Sequence, residues 1–354
     1  MFGILDRYVG KNIIFSVLLV SICLTLFTFL IGLIDSLRYI GRGSVDFLFI
    51  IEYNLYKVPS SFVTFFPVSI LIGGVIGLGN LAKNSEIIVL QSIGLSKLNI
   101  GVSCIKSLVP LILIVMCVSE FATARCEKYA EERYDTKVYG MGVSFTSTGT
   151  WFKEGDTFIG IRSIYNNAQI MNIIRYDFDG ITLRKISRAD KGVYENGKWL
   201  MQNVIEHVIN DENVATNYYK TKEWKLHVNV DRLEVLSEIS SNMPIWQLVD
   251  YIKYIEQNGV DSSRYRLFFY NKLLSPVVML VMLLLSLSTI FGPLRSMNMS
   301  TRIVAGIALG FGYYVLNQIV SPFSIVYGVP PIIGASFASI VFATLAFYLL
   351  KRKS

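Results

Sequence analysis

Long stretches without a charged residue recur along this chain, and their lengths predict membrane-spanning helices. Residues 13–34, 58–82 and 273–294 contain 22, 25 and 22 residues without a charge. At a rise of about 1.5 Å per residue, each of them can cross a hydrocarbon core about 30 Å thick as a helix. Residues 98–119 predict a further span, because the stem of Lys106, their only charged residue, can reach the nearer membrane surface.

The last apolar stretch is too long for one helix and predicts two spans. Residues 303–350 include no charged residue and would extend about 72 Å as a single helix, more than twice the bilayer core. Proline lacks an amide hydrogen and clashes with the preceding helical turn, so Ser321-Pro322 and the Gly-Val-Pro-Pro run at 328–331 predict the break. The chain is therefore expected to cross the membrane six times, with both termini on one side.

The segment between the third and fourth spans follows a different pattern. Within residues 125–265 the apolar positions alternate, which predicts an all-β, jellyroll-like domain built as a sandwich or an open roll. Its interior is either only a core or also a site for an apolar ligand, and Ile159 and Ile173 are the candidate lining residues. The predicted strands cover 157–161, 170–178, 198–208 and 224–230, the turns fall at 154–156, 179–180 and 196–197, and the flanking helices cover 126–137 and 244–258.

A short segment between the second and third spans, about residues 84–94, predicts a helix outside the hydrocarbon. Asn84 and Ser85 offer side-chain oxygens to the free amides of a helix start, and Glu86 lies in the first turn, where the helix dipole favours a negative charge. Gly94 can adopt the left-handed conformation that ends a helix. Four apolar residues cover most of its surface: Ile87, Val89, Leu90 and Ile93. These apolar side chains pack either against the membrane surface or the chain's own helix bundle, or into a groove of a separate protein.

Composition and charge support a polytopic membrane protein and predict its orientation. The chain has 354 residues, 53% of them hydrophobic, with a mean hydropathy of +0.49 and a net charge of +7. By the positive-inside rule, the termini and residues 77–101 are expected to be cytoplasmic. Three basic residues lie in the short loops of the opposite side (Arg38, Arg42, Lys57), against ten on the side of the termini (Arg7, Lys11, Lys83, Lys97, Lys106, Arg295, Arg302, Lys351, Arg352, Lys353).

The predicted organisation has three regions: spans one to three in residues 1–124, the β domain in 125–265, and spans four to six in 266–354. Small residues spaced four apart let helices approach closely, so two glycine pairs are candidate packing contacts: Gly73 and Gly77, and Gly306 and Gly310. Arg38 and Arg42 follow the first span, where they either anchor the helix end at headgroup level or bind a ligand.

Residue patterns typical of an enzyme do not stand out. The chain has only two histidines, His207 and His227, without a neighbouring cysteine or an HExxH motif, so no metal or other cofactor is expected. Neither Gly10-Lys11 nor Gly197-Lys198 has the first glycine and the following Ser or Thr of a phosphate-binding loop. No serine of the chain lies in a GxSxG motif, and no two of the four cysteines form a CxxC motif. Any transport work by this chain would therefore need energy from another subunit.

Four stretches together resemble the lipopolysaccharide export permeases of the LptF/LptG family. They are MFGILDRYVGK at the start, GLGNLAKNSEIIVLQSIGLSKL between spans two and three, FGPLRS after span four, and YGVPPIIGA before span six. The first and third stretches favour the LptG branch. The resemblance implies an inner-membrane subunit of an ABC transporter that extracts lipopolysaccharide and passes it to a periplasmic bridge toward the outer membrane. It also implies an LptB-type ATPase dimer, an LptF-type second permease, and LptC- and LptA-type bridge proteins as partners.

The same resemblance assigns roles to particular residues. The conserved glutamate of the family's coupling helix falls on Glu86, and Ser85, Val89, Leu90 and Gly94 would complete the surface that docks on the ATPase. Basic residues that contact the phosphorylated lipid map onto Arg38, with Arg42 nearby, and more loosely onto Arg133 and Lys137. Gly32 and Tyr39 stand where relatives can carry further basic residues.

Two other classes of protein remain open from the residues alone. One is a membrane receptor or scaffold whose β domain binds a periplasmic ligand without any transport. The other is an intramembrane hydrolase, which the lack of a candidate acid, base and nucleophile disfavours.

Overall fold

A computed structural model describes residues 3–139, 144–166, 169–180, 182–195, 198–209, 213–224, 243–257, 261–291 and 297–351. The chain forms two units. The membrane unit contains Met1–Asp35, Lys57–Ala124 and Ser263–Ser354. The β unit contains Ser36–Tyr56 and Arg125–Ser262, so it includes the segment between the first two spans as well as the region with alternating apolar positions.

Six helices in the described part of the chain are long and apolar enough to cross a membrane, which confirms the predicted class of six-span helical protein. A 3-10 turn at Leu37–Tyr39 follows the first helix, and a π-helical turn at Val118–Thr123 joins the fifth helix to the sixth. The helices are α1 (Ile4–Ser36), α2 (Phe47–Tyr56), α3 (Val58–Lys83), α4 (Glu86–Ser92), α5 (Lys97–Cys117), α6 (Ala124–Tyr139), α7 (Ile245–Gln257), α8 (Ser263–Phe291), α9 (Met299–Val326) and α10 (Pro331–Lys351).

The break in the last apolar stretch lies at only one of the two predicted positions. Helix α9 continues through Pro322 and ends at Val326, so the expected break at Ser321-Pro322 is wrong. Pro322 lies in the last turns of the helix, where a missing amide and a bent axis disturb few further bonds. The chain reverses at Gly328, whose φ of +66° is a left-handed conformation that glycine adopts without strain.

Close helix contacts in the membrane unit occur at the predicted glycines. A Cβ atom added to Gly73 would lie 2.5 Å from the Cα of Val17, so α3 and α1 touch backbone to backbone there. A Cβ on Gly77 would lie 3.1 Å from the Cα of Ile13. On α9, Gly306 and Gly310 face valine side chains of α3, at 3.4 and 3.2 Å from such an added Cβ. Helix α3 therefore contacts both α1 and α9 in the bundle.

One ion pair connects two spans inside the membrane unit. Lys272 Nζ of α8 lies 2.9 Å from Glu120 Oε1, and both side chains are largely buried. Glu120 belongs to the π-helical turn, and the Thr123 hydroxyl donates to the carbonyl of Val118 within that turn. A paired charge away from water is costly to separate, so this contact holds the π-helical turn that follows α5 against α8.

The β unit contains one antiparallel sheet in which each described strand pairs with the next along the chain, in the order β1 to β6. Three of the predicted strands are confirmed by β2, β3 and β5, and both predicted flanking helices by α6 and α7. The fourth, 224–230, begins where β6 ends and otherwise falls outside the described residues. The strands are β1 (Ser144–Glu154), β2 (Thr157–Asn166), β3 (Gln169–Asp179), β4 (Thr182–Glu195), β5 (Lys198–Ile209) and β6 (Val214–Trp224).

Strand β4 shows why an alternating pattern can miss a strand. Its inward positions hold Ser187, Ala189 and Gly192, which are small or polar, so they leave no apolar alternation in the sequence. Small side chains suit the middle of a curved sheet, where neighbouring strands contribute the bulk. Curvature is evident because the guanidinium of Arg175 on β3 lies 5.8 Å from the ring centre of Trp224 on the non-adjacent β6.

Candidate functional site

Helix α4 begins without a side-chain cap and ends at a left-handed glycine. Ser85 adopts a left-handed conformation, with φ of 63°, and its side chain makes no capping hydrogen bond. The prediction that Asn84 and Ser85 cap the helix is therefore wrong, because the sharp turn out of α3 fixes the start instead. Asn84 Nδ2 donates to Glu86 Oε1 at 3.4 Å. The predicted end is confirmed, since Gly94 has φ of +97° and the amide of Leu95 donates back to the carbonyl of Leu90.

Two faces of α4 have different surroundings. Ile87 is only 6% exposed and belongs to the apolar core of the membrane unit, against which Leu90 also packs. Ile88, Val89 and Ile93 are 55%, 54% and 73% exposed. Together with Glu86 they form a surface that we call the α4 face. Sequence reasoning missed Ile88, because the hydrophobic pattern did not distinguish which isoleucine faces the bundle.

Glu86 is held by a residue from the start of the chain. The hydroxyl of Tyr8 on α1 donates a hydrogen bond to Glu86 Oε2 at 2.7 Å, a distance typical of a bond to a charged acceptor. Sequence reasoning missed Tyr8, because 78 residues separate the two positions and no periodicity relates them. The contact fixes the carboxylate at the beginning of α4 and links α4 directly to the first span.

Four candidate lipid-binding residues lie in the β unit, each against an aromatic ring, and we call these four residues the basic cluster: Arg38, Arg42, Arg133 and Lys137. The guanidinium groups of Arg38 and Arg42 lie 5.0 and 5.3 Å from the ring centre of Tyr39. Arg38 and Arg42 do not share the face of a continuing helix, since α1 ends at Ser36 and a 3-10 turn follows. Tyr39 instead brings both cations to one ring.

Lys137 and Arg133 contribute to the basic cluster from α6 and lie against different rings. Tyr39 contacts Tyr134 with ring centres 5.5 Å apart, and Tyr134 contacts Tyr53 at 5.3 Å. Lys137 Nζ lies 6.0 Å from the ring centre of Phe49. The backbone carbonyl of Lys137 accepts hydrogen bonds from the amide and hydroxyl of Ser44, at 2.8 and 3.1 Å, which ties α6 to the loop that carries Arg42.

Arg133 has an acidic partner that sequence reasoning missed. Its Nη2 atom lies 2.7 Å from Oε1 of Glu52 on α2, and its guanidinium lies 5.5 Å from the ring centre of Tyr129. Tyr129 in turn contacts Tyr56 with ring centres 4.8 Å apart. No local pattern indicates the pair, because 81 residues separate Glu52 from Arg133. The arrangement offers several arginine and lysine donors within one unit, a chemistry suited to phosphate oxygens.

The two apolar candidates in the sheet share its inner face. Ile173 pairs with Ile161, and Ile159 lies two residues before Ile161 on the same strand. Ile159 is 1% exposed and Ile173 is 0% exposed. Ala189 and Val204 continue this row across β4 and β5. The row is a packed apolar surface in this structure. Such a surface agrees both with an interior that is only a core and with one that also binds an apolar ligand.

Charged residues occupy the inner face beside the apolar row. Asp177 Oδ1 accepts hydrogen bonds from Thr157 Oγ1 and Arg175 Nε, at 2.7 and 2.8 Å. Burial raises the pKa of Asp177, but these hydrogen bonds and the charges of Arg175 and Lys185 outweigh burial and hold the pKa below its ordinary value. The ionised carboxylate therefore stabilises the folded sheet above its ordinary pKa, and this contribution is lost as the pH falls through the lowered value.

Glu206 extends the same row of charges to the edge of the described sheet. It is 3% exposed, and Lys222 Nζ of β6 lies 2.6 Å from its Oε2 while Lys185 Nζ lies 3.7 Å from its Oε1. The inner face thus changes along the strands from apolar to charged.

Comparison with known proteins gives a full-length match. Residues 7–352 match the sequence family described as lipopolysaccharide export system permease LptF/LptG. The chain is 34% identical over 357 residues to the lipopolysaccharide export system permease protein LptG of Escherichia coli K12, a match that covers 100% of this chain and 99% of that protein. It is 33% identical over 356 residues to the protein of the same name from Haemophilus influenzae Rd, again with 100% and 99% coverage.

Proposed function

Because the chain belongs to the LptF/LptG family of lipopolysaccharide export system permeases, we propose that it extracts lipopolysaccharide from the inner membrane and passes it toward the outer membrane. The full-length match to the LptG relatives is the observation that carries this proposal. The chain is a transport subunit, and its described residues include six candidate membrane spans. The energy for transport comes from ATP hydrolysis by a separate subunit. The termini and α4 lie on the cytoplasmic side of the membrane, and the β unit lies in the periplasm.

Helix α4 is the proposed contact with an LptB-type ATPase dimer. Its exposed isoleucines and valine form an apolar patch with one carboxylate, which is the composition expected of a short helix that inserts into a groove of a partner. Closure of the ATPase dimer would push on α4, and α3 and α5, which flank it in the chain, would transmit this motion to the membrane unit. An LptF-type permease completes the cavity from which the lipid is expelled.

Co-purification distinguishes this proposal from a receptor or scaffold with a ligand-binding β domain. The chain is tagged, expressed at its native level and purified in mild detergent, and the co-purifying proteins are identified and quantified. A transporter subunit is expected to retain a nucleotide-hydrolysing dimer and a second six-span permease in fixed ratio. A chain that comes alone, or with signalling proteins and no ATPase, would favour the receptor.

Tyr8→Phe is expected to weaken ATPase binding by about twofold to tenfold, the loss that corresponds to one net hydrogen bond. Without the hydroxyl of Tyr8, Glu86 keeps its charge but loses its orientation. The measurement is the affinity of the detergent-solubilised permease for the ATPase, with Tyr348→Phe, another exposed tyrosine, as the matched control. Unchanged affinity in Tyr8→Phe would show that the hydrogen bond does not position Glu86 for docking.

Arg38, Arg42, Arg133 and Lys137 are the proposed contacts with the phosphates of the lipid. Each of these side chains lies against an aromatic ring, and the charge of Arg133 is also paired with Glu52. Arginine's planar fork suits the paired oxygens of a phosphate group.

The inner face of the sheet is the proposed route for the acyl chains toward LptC- and LptA-type bridge proteins. A photo-crosslinking residue at Ile159 or Ile173 is expected to label lipopolysaccharide only when ATP is hydrolysed, because both positions are closed to solvent in the resting sheet. Tyr218, an exposed position on β6, is the control and is expected to stay unlabelled. Equal labelling at all three positions, with or without ATP, would assign the sheet a purely structural role.

A further inference from the structure

The pairing of Glu52 with Arg133 belongs to a set of contacts between two short helix faces. Glu52 and Tyr56 are one turn apart on α2, and Arg133 and Tyr129 are one turn apart on α6. The two tyrosines contact each other edge to face, and the guanidinium of Arg133 lies over the ring of Tyr129. The guanidinium of Arg133 is therefore held between the ring of Tyr129 and the carboxylate of Glu52.

The ion pair is reachable from outside the unit and weakly held. The side chains of Arg133 and Glu52 are 44% and 38% exposed, and an exposed ion pair of this kind is weak because water screens the two charges. A phosphate group close to Arg133 would meet a second negative charge on Glu52, and the two anions compete for the same guanidinium donors. A phosphate carries more charge than a carboxylate and offers three oxygens, so it can displace Glu52.

We propose that Glu52 is the internal anion that occupies Arg133 when the lipid site is empty, and that a lipid phosphate and Glu52 exchange on Arg133 during each transport cycle. This inference rests on the proposed lipid-binding role of the basic cluster. Binding requires Arg133 to leave Glu52, and the return of Glu52 assists release of the phosphate. Such an exchange suits a transporter, because a site that holds a multiply charged lipid too tightly cannot pass it on.

Glu52→Gln removes the competing charge and keeps the size and a hydrogen-bonding carbonyl. Lipopolysaccharide with both lipid A phosphates is expected to bind about twofold to fivefold more tightly to the purified permease complex carrying this variant, the fold-change that corresponds to an exposed ion pair. Release of lipid is expected to slow by a similar factor. Glu223→Gln, which removes the carboxylate of the exposed Lys198–Glu223 pair in the same unit, is the matched control and should change neither quantity.

Two further binding measurements identify the group that competes with Glu52 for Arg133. Enzymatically dephosphorylated lipopolysaccharide should bind equally to the wild type and to Glu52→Gln, since Glu52 competes only with a phosphate. Inorganic phosphate at millimolar concentration should not reproduce the gain, because a lipid headgroup is held by the whole basic cluster. If free phosphate occupies the site as well as the lipid does, the ligand is an anion from solution and the proposed exchange with lipid is wrong.

The double variant separates this inference from the proposed lipid site. In Glu52→Gln, Arg133→Gln the gain should disappear, because the competition requires the guanidinium. If Arg133→Gln alone leaves lipopolysaccharide binding unchanged, Arg133 is not part of the lipid site and the proposed role of the cluster fails there. If Arg133→Gln weakens binding while Glu52→Gln also weakens it, Arg133 does bind lipid but Glu52 orients it, and the exchange is overturned.

Discussion

Glu86→Lys is expected to abolish ATP-driven export while the chain still inserts and folds. Glu86 lies at the first position of α4, accepts a hydrogen bond from Tyr8 at 2.7 Å and is flanked by exposed apolar residues that need a partner. Reversing a charge in a docking interface typically costs about 2–5 kcal/mol, which is about thirtyfold or more in affinity for the ATPase. Folding should persist, because Ile87 and Leu90 still anchor α4 in the bundle.

Three measurements on Glu86→Lys decide this point: the amount of inserted chain, the ATPase recovered with it, and lipopolysaccharide released from proteoliposomes. Glu223→Lys, on the surface of the β unit, is the matched charge reversal and should leave all three unchanged. Glu86→Gln is expected to retain more activity than Glu86→Lys, since it can still accept the bond from Tyr8. A Glu86→Lys chain that exports at the normal rate would show that α4 does not dock through this carboxylate.

The Arg38→Glu, Arg42→Glu double variant is expected to lose lipopolysaccharide binding more severely than either single variant. Both guanidinium groups lie over the ring of Tyr39, so either can replace the other at a phosphate. A charge-assisted hydrogen bond contributes about 1.5–3 kcal/mol, which predicts a loss of about tenfold to a hundredfold when no neighbour compensates. Arg38→Lys should keep part of the affinity, because an ammonium retains the charge and loses the fork.

The control for this pair is Lys198→Glu, Arg184→Glu, a double charge reversal at exposed strand positions of the same unit. It should leave lipid affinity within about twofold of the wild type, because neither residue belongs to the basic cluster and each lies in an exposed ion pair of its own. Unchanged affinity and export in the Arg38, Arg42 variant, at normal protein levels, would assign both arginines to anchoring the end of α1 at the headgroups.

Patterns that depend on neighbouring residues were predictable from the sequence. The spans follow from uncharged length, the end of α4 follows from a left-handed Gly94, and the break after α9 follows from the Gly-Val-Pro-Pro run at 328–331. Pro322 illustrates a limit, since proline near a helix end costs too little to break the helix when both flanking segments are apolar. Strand β4 illustrates a second limit of sequence-based prediction. Its buried side chains are small and leave no apolar pattern, and its position in the sheet is determined by pairing with β3 and β5.

Contacts between distant residues were not predictable from any local pattern. Tyr8 meets Glu86, and Glu52 meets Arg133, only because the fold brings together helices from separate parts of the chain. The resemblance pointed to Arg38, Arg133 and Lys137 as cations but not to the rings that they contact, which are Tyr39, Tyr129 and Phe49, respectively. A single sequence shows the residue types at such a site, whereas their partners require the three-dimensional arrangement.

ATP-driven removal of lipopolysaccharide from a membrane tests the central claim most directly. The chain is reconstituted with its co-purifying ATPase and second permease in proteoliposomes that contain lipopolysaccharide, and the lipid transferred to a soluble periplasmic acceptor is measured over time. We predict transfer that requires ATP and this chain and falls to the background in Glu86→Lys. Transfer at the same rate from vesicles that lack the chain, or ATP hydrolysis by the intact complex without any transfer of lipopolysaccharide, would contradict the assignment.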